Sequence, residues 1–306
     1  MAETTYIAQP GRIRQTWSQI KLLRESPVGM VGAAIVAFWV LIAIFAPVLA
    51  PYNPNDNDPF VTDSTLDDPT SAPGYVDPLT DPTPNKIYLL GTDNQGRDIL
   101  SRVIWGSRTV LVVAPAATFC AYLVGCMLGL LAGYYRGWVD AVISRITDIL
   151  LSFPAIVLYI LIIMRLGPSA FNIIVAVIFV ASPQIIRIVR GITLEQRELD
   201  YVTAAKMRGE SALYIMLVEI LPNTRGPLIV DSCLRMGYTT IQIGVLGFLG
   251  LGLPPPDPDW GGMMKDTYGM MSSYPHMSLY PAFAISSLVV GFSLLADGLR
   301  EISLRD

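Results

Sequence analysis

Long apolar runs alternate with short polar segments along this chain. A helix needs roughly 20 mostly apolar residues to cross about 30 Å of hydrocarbon. Residues 28–49 and 110–131 each form such a run without a single charge. Four further runs occupy residues 143–164, 171–186, 227–253 and 279–296. The pattern predicts an all-α membrane protein with six transmembrane helices.

Some of these runs contain prolines or charges. Pro115, Pro154 and Pro183 interrupt three of them, as expected of a bundle that bends. Asp231 and Arg235 are four residues apart in the fifth run, so they can pair on one helix face and lower the cost of burying both charges. We interpret them as a structural pair rather than a substrate site.

The placement of lysine and arginine predicts the orientation. Residues 1–27, 133–145, 187–226 and 297–306 hold 14 of the 21 Lys and Arg residues, and positively charged loops stay in the cytoplasm. Both termini are therefore expected to be cytoplasmic, and 28–49 is a retained anchor because no cleavage site follows it. The predicted units are a cytoplasmic segment 1–27, a first transmembrane helix 28–50, an external loop 51–106, a five-helix core 107–300 with a cytoplasmic loop 187–225, and a cytoplasmic end 301–306.

Composition supports the bilayer as solvent. Charged residues make up 15% of the 306 residues, against about a quarter in soluble domains, and the mean hydropathy is +0.49. Cys120, Cys126 and Cys233 lie within the apolar runs without metal-ligand spacing, so we interpret them as packing residues and expect no metal site.

Two external segments differ in character. Residues 51–88 contain eight prolines and seven aspartates, which predicts an irregular loop, either a variable insertion or a docking surface. The following segment, 90–102, is rich in turn formers. Gly91 and Gly96 permit tight backbone, Asp93 or Asn94 can close a turn, and Asp98 can cap a short helix 99–105. We favour a staple at the membrane surface over a substrate contact.

The cytoplasmic loop has the pattern of two short helices. Residues 199–208 form the first, ended by Gly209, and Ser211 caps a second over 212–221, ended by Pro222. We call residues 199–221 the lever segment. Tyr201, Ala204, Ala205 and Arg208 fall on one face, and the two alanines are expected to let a partner approach closely.

Enzyme chemistry is not indicated. The sequence contains no GxxxxGK[ST], so it has no phosphate-cradling loop of its own, and the single histidine, His276, has no visible catalytic partner. We expect neither an ATPase site, nor another catalytic site, nor binding to nucleic acid.

The lever segment resembles the EAA signature of ABC importer permeases. Ala204, Ala205, Gly209, Leu221 and Pro222 match that pattern, whereas Thr203 stands at the glutamate position. Residues 90–102, residues 248–252 with Trp260 and Gly261, and residues 295–300 are similar to the oligopeptide/dipeptide subgroup, the second permease type with an N-terminal extension. The resemblance covers nearly the whole chain except about 51–88.

The resemblance implies a fold, partners and sites. The fold is the type I-like permease fold with a coupling helix in the cytoplasmic loop, located in the cell membrane among its lipids. The partners are a second permease, two cytoplasmic ATPases that use ATP and Mg, and an external substrate-binding protein; the chain itself binds no cofactor. The residues implied for coupling are Asp200, Tyr201, Thr203, Ala204, Ala205, Arg208 and Gly209, and those of the external family motif are Gly91, Thr92, Asp93, Gly96, Arg97 and Asp98.

Peptide is the expected substrate, with nickel or another small solute as alternatives. A different mechanism, an ion-gradient-driven transporter or channel, predicts inverted repeats and ionisable groups at the membrane centre. The sequence shows no convincing repeat. The fifth run and residues 260–264 are the places where we expect path-lining residues.

Overall fold

The computed structural model describes residues 26–56, 88–254 and 256–303. In these residues all regular structure is helical apart from one isolated bridge between Thr92 and Asp98. The predictions for the N-terminal segment 1–25, for most of the Pro/Asp-rich loop (57–87) and for the last three residues lie outside the described residues.

The helices occur in the following order along the chain. They are α1 (Pro27–Ile44), α2 (Ala46–Leu49), α3 (Ile99–Tyr135), α4 (Gly137–Ser152), α5 (Ala155–Leu166), α6 (Ala170–Gln196), α7 (Asp200–Met207), α8 (Ala212–Tyr214), π-helical turns Ile215–Ile220, α9 (Leu221–Asn223), α10 (Arg225–Phe248), α11 (Trp260–Thr267), a 3₁₀ turn Tyr268–Met270 and α12 (Pro275–Ser303).

Four helices, α1, α3, α6 and α12, are long and apolar enough to cross a membrane. Two further pairs pass the same test together but are bent, α4 with α5 by 92° and residues 212–223 with α10 by 71°. Counting each bent pair as one span gives six among the described residues. The predicted all-α membrane fold is confirmed.

The third predicted span, 143–164, is wrong as a continuous helix. The chain leaves helical geometry at Phe153 and Pro154, and α5 starts at Ala155. Proline lacks the N–H that a helix needs and disfavours helical geometry in the residue before it, which explains the break at this position. Pro183 has no such effect, because α6 continues through it.

Other helices differ from the prediction in length. The short helix 99–105 is not a separate element but the first turns of the 37-residue α3, and α6 extends ten residues past the predicted end, to Gln196. The predicted fifth span ends at Phe248 rather than at residue 253, and the second lever helix continues past Pro222 to Asn223. Polar residues at the start of α3 and at the end of α6 hide the full length of these two helices from a hydropathy count.

Close packing of α3 on α6 forms the centre of the fold. Added Cβ atoms at Gly129 and Gly133 would lie 2.7 Å from Val189 and 2.6 Å from Thr193, so the α3 backbone approaches α6 more closely than a side chain permits. Three apolar clusters surround this contact: α1, α11 and α12 pack against the start of α3, α5 and α10 against its middle, and α7 with the π-helical turns against its end.

Candidate functional sites

The lever segment and the two residues before it contact the ends of two long helices. Arg197 Nη1 donates to the carbonyl oxygen of Tyr134 at 2.5 Å, and Arg136 pairs with Glu198 at 2.9 Å. Tyr201 donates its hydroxyl proton to Gln196 Oε1 at 2.7 Å. These contacts connect α7 and the residues before it to the ends of α3 and α6.

The two halves of the lever segment also hold each other. Gly209 has a φ of +80°, and the Glu210 N–H donates back to the Ala205 carbonyl at 3.2 Å, which ends α7 in the way the sequence predicts. Across this turn Arg208 Nη2 lies 2.9 Å from Glu219 Oε1. Ser211 caps the next helix by accepting from the Tyr214 N–H, also as predicted.

The predicted exposure of Ala205 is wrong. Ala205 is 0% exposed and packs, with Val202, against the residues that follow the turn, Ile215, Met216 and Ile220. Thr203, Lys206 and Arg208 are exposed, Ala204 is half-buried, and Met207 is 79% exposed. The outward face of α7 therefore consists of Thr203, Lys206 and Met207, and Ala205 supports it from inside.

The external segment folds into a tight polar turn. Gly91 and Gly96 have positive φ angles of 79° and 71°, as their positions in the sequence predict. Asp93 Oδ1 accepts from the backbone N–H groups of Gln95 and Arg97 at 2.9 and 3.0 Å, and its Oδ2 lies 2.6 Å from Arg97 Nε. Thr92 is fully buried beside them. The turn is closed by its own side chains.

This turn joins three parts of the chain. Asp98 caps α3 by accepting from the Ser101 N–H at 2.8 Å, and burial raises the pKa of its carboxyl. Arg97 reaches Asp266 of α11 at 3.4 Å, and Arg102 donates to the Pro54 carbonyl at 3.0 Å. Such inward contacts favour the staple interpretation over a substrate contact.

Trp260 does not line a path. Its side chain is 0% exposed, its Nε1 donates to the Val103 carbonyl at 2.9 Å, and its ring packs edge-on against Trp39 at 5.1 Å. The prediction of path-lining residues at 260–264 is therefore wrong for Trp260, because an indole that satisfies its only donor within the core is a packing anchor.

A polar cavity within the membrane-spanning region was missed by the sequence reasoning. It has a volume of about 380 Å³ and lies between α5, α6 and α10. The side of α10 that faces it carries Arg235, Tyr238, Thr239 and Gln242, at positions i, i+3, i+4 and i+7. That spacing was a signal in the sequence, since polar residues at helical period in a span face a bundle interior or water.

Comparison with known proteins gives the family. Residues 125–306 match the binding-protein-dependent transport system inner membrane component, and residues 14–70 match the N-terminal TM domain of oligopeptide transport permease C. The dipeptide transport system permease protein DppC of Alkalihalophilus pseudofirmus is 38% identical over 92% of this chain and 86% of its own length. DppC of Haemophilus influenzae is 35% identical, over 94% and 93%.

A third relative is named for a different substrate. The glutathione transport system permease protein GsiD of Pectobacterium atrosepticum is 34% identical over 98% of this chain and 95% of its own length. The family match over residues 125–306 and the near full-length similarity to these relatives show that the chain belongs to the binding-protein-dependent inner-membrane components, the permease subunits of ABC importers.

Proposed function

We propose that this chain forms half of the translocation pathway of an ATP-driven importer for di- or oligopeptides. The observation that carries the proposal is the near full-length similarity to permeases named for dipeptide and glutathione transport. Members of this family are permeases and not ATPases, so the energy comes from ATP hydrolysed on partner subunits rather than from an ion gradient.

The complete transporter would contain at least four further subunits. We assign it a second permease, two cytoplasmic ATPases that bind ATP and Mg, and an external binding protein that delivers the peptide. Both termini of this chain and the lever segment lie in the cytoplasm in this proposal, supported by the excess of Lys and Arg in those segments.

The outward face of α7 would contact an ATPase. An exposed apolar tip, Met207, stands at the end of α7, and Leu213, Tyr214, Leu217 and Val218 add exposed apolar surface just after the turn. Exposed apolar surface with a polar rim is typical of a protein interface. Because Arg208 and Glu219 join the two halves and Arg197 ties them to the bundle, motion of the ATPase would reach α3 and α6 as a rigid displacement.

Purification tests the assembly. The tagged chain is extracted in mild detergent, co-purifying subunits are identified, and ATP hydrolysis and peptide uptake are measured after reconstitution with the binding protein. Recovery of a second permease and ATPases, with peptide-dependent uptake, supports the proposal. A chain that purifies alone and moves solute on an ion gradient contradicts it.

Two variants test the lever segment itself. Met207→Glu places an unpaired carboxylate at the apolar tip, and Gly209→Val forces a β-branched residue into a positive φ where no neighbouring atom lies within 4 Å. Both are expected to lower uptake about tenfold or more, since loss of about 1.4 kcal/mol at an interface has that effect. Met271→Glu, at an exposed methionine of the predicted outer end, is the control.

These variants should leave the amount of folded chain unchanged. Normal uptake in both would contradict contact through α7. A charge at Ala205 is not a suitable test, because this buried residue would disrupt the core of the lever segment.

A further inference from the structure

The cavity between α5, α6 and α10 presents one charge. Its lining includes Tyr159, Gln184, Arg235, Tyr238, Thr239 and Gln242, together with small apolar residues. Among these residues Arg235 is the only one with a full charge at neutral pH. The cavity therefore offers hydroxyl and amide groups around a single guanidinium, with no carboxylate in its wall.

Two hydrogen bonds position the Arg235 side chain. Its Nε donates to Asp231 Oδ2 at 2.7 Å, and its Nη1 donates to Gln184 Oε1 at 3.0 Å. Asp231 also accepts a hydrogen bond from the hydroxyl of Tyr122 on α3, and it is not part of the cavity wall. The negative partner is thus directed toward α3, whereas the positive group faces the cavity.

The Arg235 guanidinium has N–H groups that can still donate hydrogen bonds to a ligand. The hydrogen bonds to Asp231 and Gln184 use two of the five guanidinium N–H groups, and the Arg235 residue is only 8% exposed. A planar guanidinium fixed by one carboxylate can still bind a second acceptor through its remaining N–H groups. The acceptor that suits this geometry best is another carboxylate or a carbonyl oxygen.

The depth of the site is also informative. Arg235 lies about ten residues into α10, which at 1.5 Å per residue places it about 15 Å from the start of that helix. This is close to half of the roughly 30 Å hydrocarbon thickness. A charged residue at this depth that lines a polar cavity marks a substrate pathway rather than a lipid-facing surface.

The size and chemistry of the cavity fit a short peptide. Its volume of about 380 Å³ falls within the range of small-molecule sites. Gln184, Thr239 and Gln242 can exchange hydrogen bonds with peptide groups, and Arg235 can receive a carboxylate. No acidic side chain in the wall is available for the ammonium group at the other end of the peptide.

We propose that Arg235 is a specificity-determining residue that receives the carboxylate of the peptide substrate as it passes through the membrane. The inference rests on the proposed peptide function and deepens it. The carboxylate can belong to the peptide C-terminus or to an acidic side chain, since the guanidinium recognises the same group in both. Selection at this point would act in addition to selection by the external binding protein.

Uptake by the complete reconstituted transporter tests the proposal. Three radiolabelled dipeptides are compared: one with a free C-terminus, its C-terminal amide, and an amide with an acidic side chain. The ratio of uptake between free acid and amide is the readout, because any preference of the binding protein is common to all permease variants and cancels between them.

Arg235→Gln is expected to lower this ratio about tenfold relative to the native chain, which corresponds to loss of one charge-assisted hydrogen bond. Arg235→Lys is expected to keep most of it. Because Arg235→Gln leaves Asp231 without its partner, the double variant Asp231→Asn/Arg235→Gln is measured as well, and we expect the same low ratio from it. Arg165→Gln, at an exposed arginine outside the cavity, is the matched control.

The outcomes separate the two proposals. If both Arg235→Gln variants keep the native uptake ratio of free acid to amide and also the native ratio of acidic amide to amide, the role of Arg235 is overturned and the peptide function stands. If the native transporter assembles but imports none of the three peptides, the peptide function fails and this proposal fails with it. A fall of the acidic amide/amide ratio alone in Arg235→Gln would assign the contact to a side-chain carboxylate, and a fall of the free acid/amide ratio alone would assign it to the peptide C-terminus.

Discussion

Asp259 is a buried carboxyl at the end of the bundle opposite the lever segment. It caps α11 by accepting from the backbone N–H groups of Gly261 and Gly262 at 3.3 and 3.2 Å. A side chain at Gly247 or Gly252 would collide with its Oδ2. Burial raises the pKa of Asp259 to about 6 against the opposing effects of these N–H groups and of Arg102.

The raised pKa of Asp259 makes the stability of the protein depend on pH. The ordinary value for Asp is about 3.9, so the folded state takes up a proton more readily than the unfolded chain. The protonated carboxyl contributes its full stability below about pH 4, and that contribution is lost as the pH rises through about 6. Asp259→Asn keeps a capping oxygen but does not titrate.

The unfolding temperature in detergent should therefore fall more steeply between about pH 5 and pH 7 in the native chain than in Asp259→Asn. Tryptophan fluorescence during heating measures it. Arg102 and Asp266 are present in both proteins, so the comparison isolates the change at Asp259. Parallel curves for the two proteins would show that Asp259 is not the group responsible.

Arg97 provides a second residue-scale prediction. It is almost fully buried and lies 2.6 Å from Asp93, so Arg97→Gln leaves a buried carboxylate without its nearest partner. We expect a loss of about 3–5 kcal/mol in the free energy of unfolding. The matched control is Arg136→Gln, which removes an ion pair of similar length at the surface and should cost less than about 1 kcal/mol. Equal losses measured by denaturant titration would contradict the importance of burial.

The contact between α3 and α6 depends on glycine. Gly129→Ala would put a methyl group 2.7 Å from the Val189 side chain, in the middle of two packed helices, so the helices must separate. We expect a lower unfolding temperature and a smaller folded fraction after heating, measured by size-exclusion chromatography in detergent.

Gly191→Ala on α6 is the control for this change. Its added methyl group meets no atom within 4 Å, and replacing an exposed helical glycine by alanine favours the helix by up to about 1 kcal/mol. The two substitutions are chemically identical and should have opposite effects on stability. A loss of stability at Gly191 equal to that at Gly129 would contradict packing as the cause.

The sequence predicts elements whose signals are local. The cap at Asp98, the positive φ at Gly209 and the cap at Ser211 each depend on a few neighbouring atoms, and all three are confirmed. The pair Asp231 and Arg235 is confirmed too, at 2.7 Å. Residue types and their spacing over a few neighbouring positions were sufficient to predict these features.

Features that depend on tertiary packing could not be predicted in this way. Pro154 directly precedes a new helix whereas Pro183 is buried within an unbroken α6, although both stand in apolar runs. Ala205 is buried because the chain turns back at Gly209 and covers it with Ile215 and Ile220. A helix of small and polar residues does not show which face its own chain will cover.

At the scale of the whole molecule, α6 and α10 place the two sequence-predicted sites at opposite ends of the bundle. The 27-residue α6 is about 40 Å long and ends beside the lever segment, and α10 runs from that segment to the cluster around Asp259 and α11 at the other end. Under the proposed coupling, motion of α7 would reach the opposite end through the long helices, and α10 carries Arg235 and the cavity on its course.

Because α7 and the 3₁₀ turn lie at opposite ends of the bundle, the orientation of the chain in the membrane can be tested. In a chain with Cys120, Cys126 and Cys233 replaced by alanine, Tyr268→Cys and Lys206→Cys each introduce one exposed thiol, at the 3₁₀ turn and on α7. A maleimide that cannot cross membranes should label Tyr268→Cys in intact cells and Lys206→Cys only after permeabilisation, since the basic segments stay in the cytoplasm. The reverse pattern would place the lever segment outside, where it could not contact cytoplasmic ATPases, and would overturn the proposed coupling. Labelling of both thiols in permeabilised cells shows that each one is accessible.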